Sequence, residues 1–96
     1  MANEEQLSVL KKGVEHWNKW RAQNSTTKVD LSGAVLSGIN LSGVDFRDAR
    51  LTRVDFREGN LQRAHLSLAN LSRATLIGTS LNRAILKETR LTHRIA

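Results

Sequence analysis

The sequence has no cysteine, no proline and no tyrosine, and only 4% of its 96 residues are aromatic. Without cysteine the chain can form no disulfide and has no thiol chemistry. Without proline, every backbone N–H remains able to donate to a hydrogen-bond ladder. Uninterrupted apolar runs are too short for a signal peptide or a membrane span, so the sequence favours a small cytoplasmic protein that does not insert into a membrane.

Large apolar side chains are present, and they recur with a period of five residues. Every fifth position from residue 31 to residue 91 is Leu or Phe. A step of five rotates a helical side chain by about 140°, and on a strand an odd step alternates between the faces. Neither regular element could therefore bury the whole set, which is Leu31, Leu36, Leu41, Phe46, Leu51, Phe56, Leu61, Leu66, Leu71, Leu76, Leu81, Leu86 and Leu91.

A second periodic set, of mostly small or β-branched residues, lies two positions before each large residue, for example Ala34, Ile39 and Val44. The inward positions thus alternate in steps of two and three. A step of two keeps both side chains on one face of a strand, whereas a step of three requires a corner. Regular corners would close the chain into coils, and coils about 4.8 Å apart can pair their backbones as parallel ladders do. The pattern predicts an all-β solenoid, with Gly33 and Gly38 at corners that need positive φ.

The repeat resembles that of the pentapeptide-repeat family, whose consensus is A-(D/N)-L-X-X. "ANLSR" at residues 69–73 matches it fully, and "VDLSG", "INLSG", "VDFRD", "VDFRE" and "GNLQR" differ only at the small position. The resemblance implies a right-handed quadrilateral β-helix with twenty residues per coil, hence about three coils over residues 29–93. The Asp/Asn position departs from the consensus at Val35, Arg50, His65, Thr75, Ser80, Ile85 and Arg90, which bears on function more than on fold.

Residues 1–28 follow a helical pattern instead. Asn3 is a candidate N-cap, and an amphipathic helix is predicted from about residue 4 to residue 22. The segment is similar to the amino-terminal helix of short cyanobacterial pentapeptide-repeat proteins. We expect it to cap the open end of the solenoid, because a solenoid core needs a cover. Residues 94–96 are a short tail, and the predicted cap residues are Leu7, Leu10, Val14 and Trp17.

The formal net charge of +6 bears on function. The best-known activity associated with the family is mimicry of DNA by acidic solenoids that bind DNA gyrase, and a net positive surface argues against it. Residues twenty apart should stack, which collects a basic side from Arg50, Arg53, Arg73, Arg90 and His93. This basic side is either a solvated surface or a site for an acidic protein or a nucleic acid.

The sequence contains one triad-like grouping, Asp45, His65 and Ser67. A convex solenoid side offers neither a pocket nor an oxyanion hole, so we expect an exposed Asp–His contact and no enzyme. No residues have the spacing of a metal site, and no cofactor is predicted.

The sequence therefore predicts a non-enzymatic structural or protein-interaction module with an unidentified protein partner. The alternative is a nucleic-acid or DNA-gyrase-associated module that acts through the arginines. A cover for the carboxyl-terminal coil is also absent from the pattern, since only "THRIA" follows Leu91. An edge of unpaired backbone groups promotes association, so we expect an end-to-end homodimer through that coil.

Leu61 lies midway along the repeats, which makes it the sharpest test of the inward positions. Leu61→Arg is expected to abolish folding, because it places an unpaired charge in the core at a cost above about 4 kcal/mol. Circular dichroism should show loss of the β-rich signal. A folded Leu61→Arg protein would contradict the inward assignment.

Overall fold

The computed structural model of the protein, described here for residues 1–91, begins with two helices and continues as a coil of short turns. Helix α1 spans Glu4–Lys11 and helix α2 spans Val14–Gln23. In residues 29–91 the extended segments are single residues, each joined to a neighbouring coil by an isolated bridge.

The repeats stack through a parallel backbone ladder. Within residues 1–91, nine parallel bridges join residues twenty apart, the first being Asp30↔Arg50. On each side of the coil, hydrogen bonds run in both directions between neighbouring coils. The Leu51 N–H donates to the Asn70 carbonyl at 2.8 Å, and the Asn70 N–H donates to the Ala49 carbonyl at 2.9 Å. Four pentapeptides therefore complete each coil, which is a quadrilateral β-helix.

A tight turn forms each corner. The N–H of the small inward residue donates to the carbonyl of the large residue three positions earlier, as from Ala64 to Leu61 at 3.0 Å. The residue two positions after the large one has positive φ, at 77° in Gly33 and 63° in Leu68. Eight corners in residues 1–91 carry a residue other than glycine there, although this conformation costs an L-residue about 1–2 kcal/mol. The glycines in the sequence therefore predicted only some of the corners that have positive φ.

The Asp/Asn position of the repeat closes a local hydrogen bond. Its side-chain oxygen accepts the backbone N–H two residues later, at 2.8–3.2 Å, which satisfies a donor at the start of the corner. Where Arg50 or His65 occupies the position, the side chain has no oxygen to accept that N–H, and within residues 1–91 the bond is absent. The bonded pairs are Asp30–Ser32, Asn40–Ser42, Asp45–Arg47, Asp55–Arg57, Asn60–Gln62 and Asn70–Ser72.

The large repeat positions form the core from Leu31 to Leu76, and each of them in that range is buried. At the carboxyl end the prediction is wrong, because Leu81 is only half-buried and Leu86 and Leu91 are 39% and 36% exposed. No further coil within the described residues covers them. At the other end Ile39, a predicted inward residue, is 37% exposed because no coil precedes it.

The single helix predicted for residues 4–22 is also wrong. It is broken at Gly13, whose φ of 114° is incompatible with a continuous helix. A straight helix of that length would be about 28 Å long at 1.5 Å per residue. That length exceeds the two shorter dimensions of the protein, 24 and 22 Å, so the break allows both helices to lie on the first coil.

Apolar side chains of the helices pack on the end of the core. Leu10 and Trp17 are buried there, and Leu7, Val14 and Trp20 are partly buried against it. The Trp17 ring contacts the Phe46 ring edge to face, with 5.8 Å between the ring centroids. Neither helix within residues 1–91 is long and apolar enough to cross a membrane.

Two amide side chains of the helices supply the acceptor that a preceding coil would offer to the N–H groups of Asp30 and Asp45, and each also donates to a nearby backbone carbonyl. Gln6 donates to the Lys28 carbonyl and accepts from the Asp30 N–H, both at 2.8 Å. Asn18 donates to the Gly43 carbonyl at 3.1 Å and accepts from the Asp45 N–H at 2.9 Å.

The helices cover only part of the first coil. The N–H groups of Val35 and Asn40, on the other two sides of that coil, have no hydrogen-bond partner within residues 1–91. Their counterparts in the second coil, Asp55 and Asn60, donate to the carbonyls of Ala34 and Ile39. The first coil is therefore hydrogen-bonded like an interior coil on two sides and left open on two.

Asn70→Ala is expected to lower the free energy of unfolding by about 1 kcal/mol, because it removes the acceptor for the Ser72 N–H and hydroxyl. Urea unfolding followed by circular dichroism measures the change. Thr75→Ala is the matched control, since Thr75 holds the same repeat position without making that bond. Equal losses in the two variants would contradict the role assigned to this position.

Candidate functional site

One side of the β-helix carries four exposed arginines. This basic side comprises residues 29–33, 49–53, 69–73 and 89–91, and the bridges Asp30↔Arg50 and Asn70↔Arg90 place its residues in register. The four arginines lie in two columns, one at the bridge positions and one at the corners. They are Arg50 and Arg90 in the first column, and Arg53 and Arg73 in the second. His93 lies outside the described residues.

Arginines on two other sides of the helix are neutralised by an aspartate two residues earlier. The guanidinium of Arg47 pairs with Asp45 and that of Arg57 with Asp55, each at 2.8 Å. In both pairs the aspartate holds the Asp/Asn position of the repeat and the arginine directly follows the large inward residue, Phe46 or Phe56. Leucine stands two residues before Arg53 and Arg73, and Asp48 and Glu88 stand two residues before Arg50 and Arg90. Within residues 1–91 none of the four arginines forms an ion pair.

The pairing also determines the ionisation of the aspartates. Hydrogen bonds from the side chain and backbone of Arg57 hold the pKa of Asp55 below its ordinary value. Partial burial works to raise the pKa of Asp45, but the hydrogen bonds from Arg47 and the charge of Arg21 leave it lowered. Both carboxylates are therefore ionised at neutral pH and cancel the neighbouring arginine charges.

The basic side has one carboxylate of its own, on Asp30, and it is occupied locally. Its Oδ1 accepts hydrogen bonds from the backbone N–H and the hydroxyl of Ser32, at 3.0 and 2.7 Å. Burial works to raise the pKa of Asp30, and these two bonds together with the charge of Arg50 lower it overall. The field of the four arginines is thus only partly offset.

A groove of about 450 Å³ adjoins the basic side. The amino-terminal residues form one wall, including Leu7, and the first coil forms the other with Ala34 and Val35. Arg50 and Arg53 also line the groove. A partly apolar groove therefore opens directly beside two cations that form no ion pair within residues 1–91.

Sequence reasoning missed this groove and predicted only its arginines. The repeat arithmetic stacks residues of the coils, but it does not say where residues 1–7 lie. The signal that could have located them is Gln6, a polar residue on the apolar flank of the helix, whose amide pairs with Lys28 and Asp30 and is only 4% exposed.

The triad-like grouping does not assemble. Asp45 and His65 are neighbours in the ladder, but the Asp45 carboxylate is held by Arg47 instead of His65. The expected Asp–His contact is therefore wrong: the guanidinium of Arg47 reaches both oxygens of the carboxylate. Within residues 1–91 no three histidine, aspartate or glutamate side chains are grouped so as to hold a metal ion.

Comparison with protein families gives a match to the profile of "Pentapeptide repeats", with eight copies, over residues 27–63 and 57–92. A comparison with curated protein sequences gives no match.

Among solved structures, the chain is similar to the pentapeptide repeat protein Rfr23 of the cyanobacterium Cyanothece 51142, with 31% identity over 69% of this chain and 48% of that one, and a TM-score of 0.49. It is also similar to HetL of Nostoc sp. strain PCC 7120, a pentapeptide repeat protein involved in heterocyst differentiation regulation. That match has 26% identity over 69% of this chain and 40% of HetL, with a TM-score of 0.51. The chain thus spans less than half the length of each of these two relatives.

Proposed function

Because the chain belongs to the pentapeptide-repeat family, whose members fold as right-handed quadrilateral β-helices, we propose that it is a non-enzymatic module that binds a protein partner through its basic side. The observation that carries the proposal is the set of four exposed arginines with no ion-pair partner within residues 1–91, in contrast to Arg47 and Arg57. Such a surface attracts an acidic partner and orients it.

The rigid backbone suits this role. The ladder fixes the spacing of the arginines before any partner arrives, so little backbone entropy is lost on binding. HetL is involved in heterocyst differentiation regulation, and regulation is a kind of function that an interaction module performs. The proposal includes a cytoplasmic location. There the protein could reach a partner without inserting into a membrane.

Nucleic acid is the second candidate ligand, and its only support is the positive charge of the same arginines. No observation favours it further, because the aromatic side chains of residues 1–91 are Trp17, Trp20, Phe46 and Phe56, none of which lies on the basic side. Single-strand binding typically needs such rings for base stacking.

Capture from the cytosol of the source organism tests the proposal. The immobilised protein should retain a specific protein at physiological salt, and a variant with the four arginines of the basic side changed to glutamine should lose it. The control is Arg63→Gln with Arg83→Gln, which removes two arginines from the corner positions of another side and should retain the partner. Capture that survives in the four-arginine variant, or that nuclease treatment abolishes, would contradict the proposal.

The two helices act in this proposal as the cap of the amino-terminal coil. Four observed features support the role: the buried Trp17 and Leu10 and the backbone-like hydrogen bonds of Gln6 and Asn18. The Asp45 carbonyl, which would face an earlier coil, instead accepts hydrogen bonds from the Trp17 indole at 2.8 Å and from Arg21 at 3.2 Å.

Gln6→Ala should lower the free energy of unfolding by about 1–3 kcal/mol, since it leaves the Asp30 N–H and the Lys28 carbonyl without partners. Gln23→Ala, at the exposed end of α2, is the control and should change it by less than about 0.5 kcal/mol. Chemical unfolding measures both. Equal free energies of unfolding for Gln6→Ala and Gln23→Ala would contradict the role of the helices as a cap.

The end-to-end homodimer stays a prediction. Leu86 and Leu91 are partly exposed at that end of the described residues, together with Ile85, which is 48% exposed. These side chains are the apolar surface that such a contact would cover.

A further inference from the structure

The basic side and the groove beside it form one continuous surface, and we infer that this surface binds an extended acidic peptide segment of the partner, with an apolar side chain of the segment in the groove. The inference rests on the proposed interaction function and specifies the chemistry of the partner. The apolar contacts would come from Leu7 and Val35, and the carboxylate contacts from Arg50 and Arg53.

Repulsion between stacked arginines favours a carboxylate ligand. Arg53 and Arg73 hold the same corner position in successive coils, which lie about 4.8 Å apart. Like charges directly opposite each other destabilise a ladder. A carboxylate between the two guanidinium groups would accept charge-assisted hydrogen bonds from both and remove the repulsion.

The local cost of these arginines is a second argument. Arg50 and Arg90 occupy the repeat position where Asp or Asn would close the corner hydrogen bond, and neither makes it. Arg53 and Arg73 adopt φ of 61° and 63°, a conformation that glycine adopts with less strain. Arg63 and Arg83 adopt the same corner conformation on another side, so the argument for binding rests on the convergence of four arginines on one side.

The groove distinguishes a peptide from a nucleic acid. Its volume of about 450 Å³ falls within the range of about 300–1,000 Å³ common for ligand sites, and its lining includes the apolar side chains of Leu7, Ala34 and Val35. A leucine-like side chain would bury Val35, which is 69% exposed. The carboxylate of Glu4 also lines the groove and repels any anion placed there, so the groove suits an apolar side chain, while the carboxylates of the peptide face Arg50 and Arg53.

The experiment measures binding of a short fluorescein-labelled peptide that alternates glutamate with leucine, by fluorescence anisotropy with the full chain at about 50 mM salt, where screening is weak. The protein should bind this probe. Arg53→Glu with Arg73→Glu should weaken binding about tenfold or more, which corresponds to 1.4 kcal/mol or more.

Arg63→Glu with Arg83→Glu is the matched control. Those arginines share the corner position, with φ of 59° and 61°, stack in successive coils and change the net charge equally, but they lie on another side. They should weaken binding less than about threefold, as expected of distant exposed charges. Thermal unfolding by circular dichroism checks that both double variants fold.

A second probe isolates the groove. A peptide of the same charge with glycine in place of leucine should bind about fivefold or more weakly, because it loses the apolar contact with Leu7 and Val35. Equal affinity of the two peptides would overturn the groove assignment.

Three other results would overturn the inference. They are equal weakening by the two double variants, tighter binding of an oligonucleotide than of the peptide, and no binding of either peptide. The proposed function is tested separately. A cytosolic partner that needs the arginines of the basic side, combined with no preference for the acidic peptide, would leave that function standing and refute this inference alone.

Discussion

The parallel hydrogen-bond ladder between residues twenty apart is the constraint on which the rest of the structure depends. It fixes which side chains stack, which point inward and which corners must take positive φ. Eight corners in residues 1–91 accept that conformation without glycine, so the ladder outweighs local preference. The same constraint turns an outward residue into a member of a column. Four arginines that are scattered along the sequence thereby become one basic side.

A ladder of this kind is incomplete at its ends, and the amino-terminal helices show one way to complete it. The amides of Gln6 and Asn18 offer a donor and an acceptor together, as a peptide group does, and they pair with the first coil on two of its sides. The break at Gly13 makes this possible, because it directs the two helices to different sides of the coil. The groove beside the basic side is a consequence of the same arrangement, since α1 and the residues before it form its wall.

The sequence predicted the core and the arginine columns because both depend on periodicity. The step of five in large residues identified the inward positions, and the twenty-residue coil, implied by the family resemblance, brought Arg53 over Arg73. Periodicity could not predict how well the side chains of the first and last coils are buried. Leu86 and Leu91 continue the pattern but are partly exposed, and Ile39 is exposed at the other end, because burial requires a neighbouring coil. The pairing of Asp45 with Arg47 instead of His65 depends on side-chain reach, which the repeat does not encode.

Amide hydrogen exchange, measured by NMR on the full chain, tests the ladder and its amino-terminal completion most directly. Exchange at Asp55 and Asn60 should be slow, because their N–H groups pair with the preceding coil. Asp30 and Asp45, which pair with Gln6 and Asn18, should also exchange slowly. Val35 and Asn40, in the same first coil, should exchange much faster. Equal exchange at all four positions of the first coil would contradict this account.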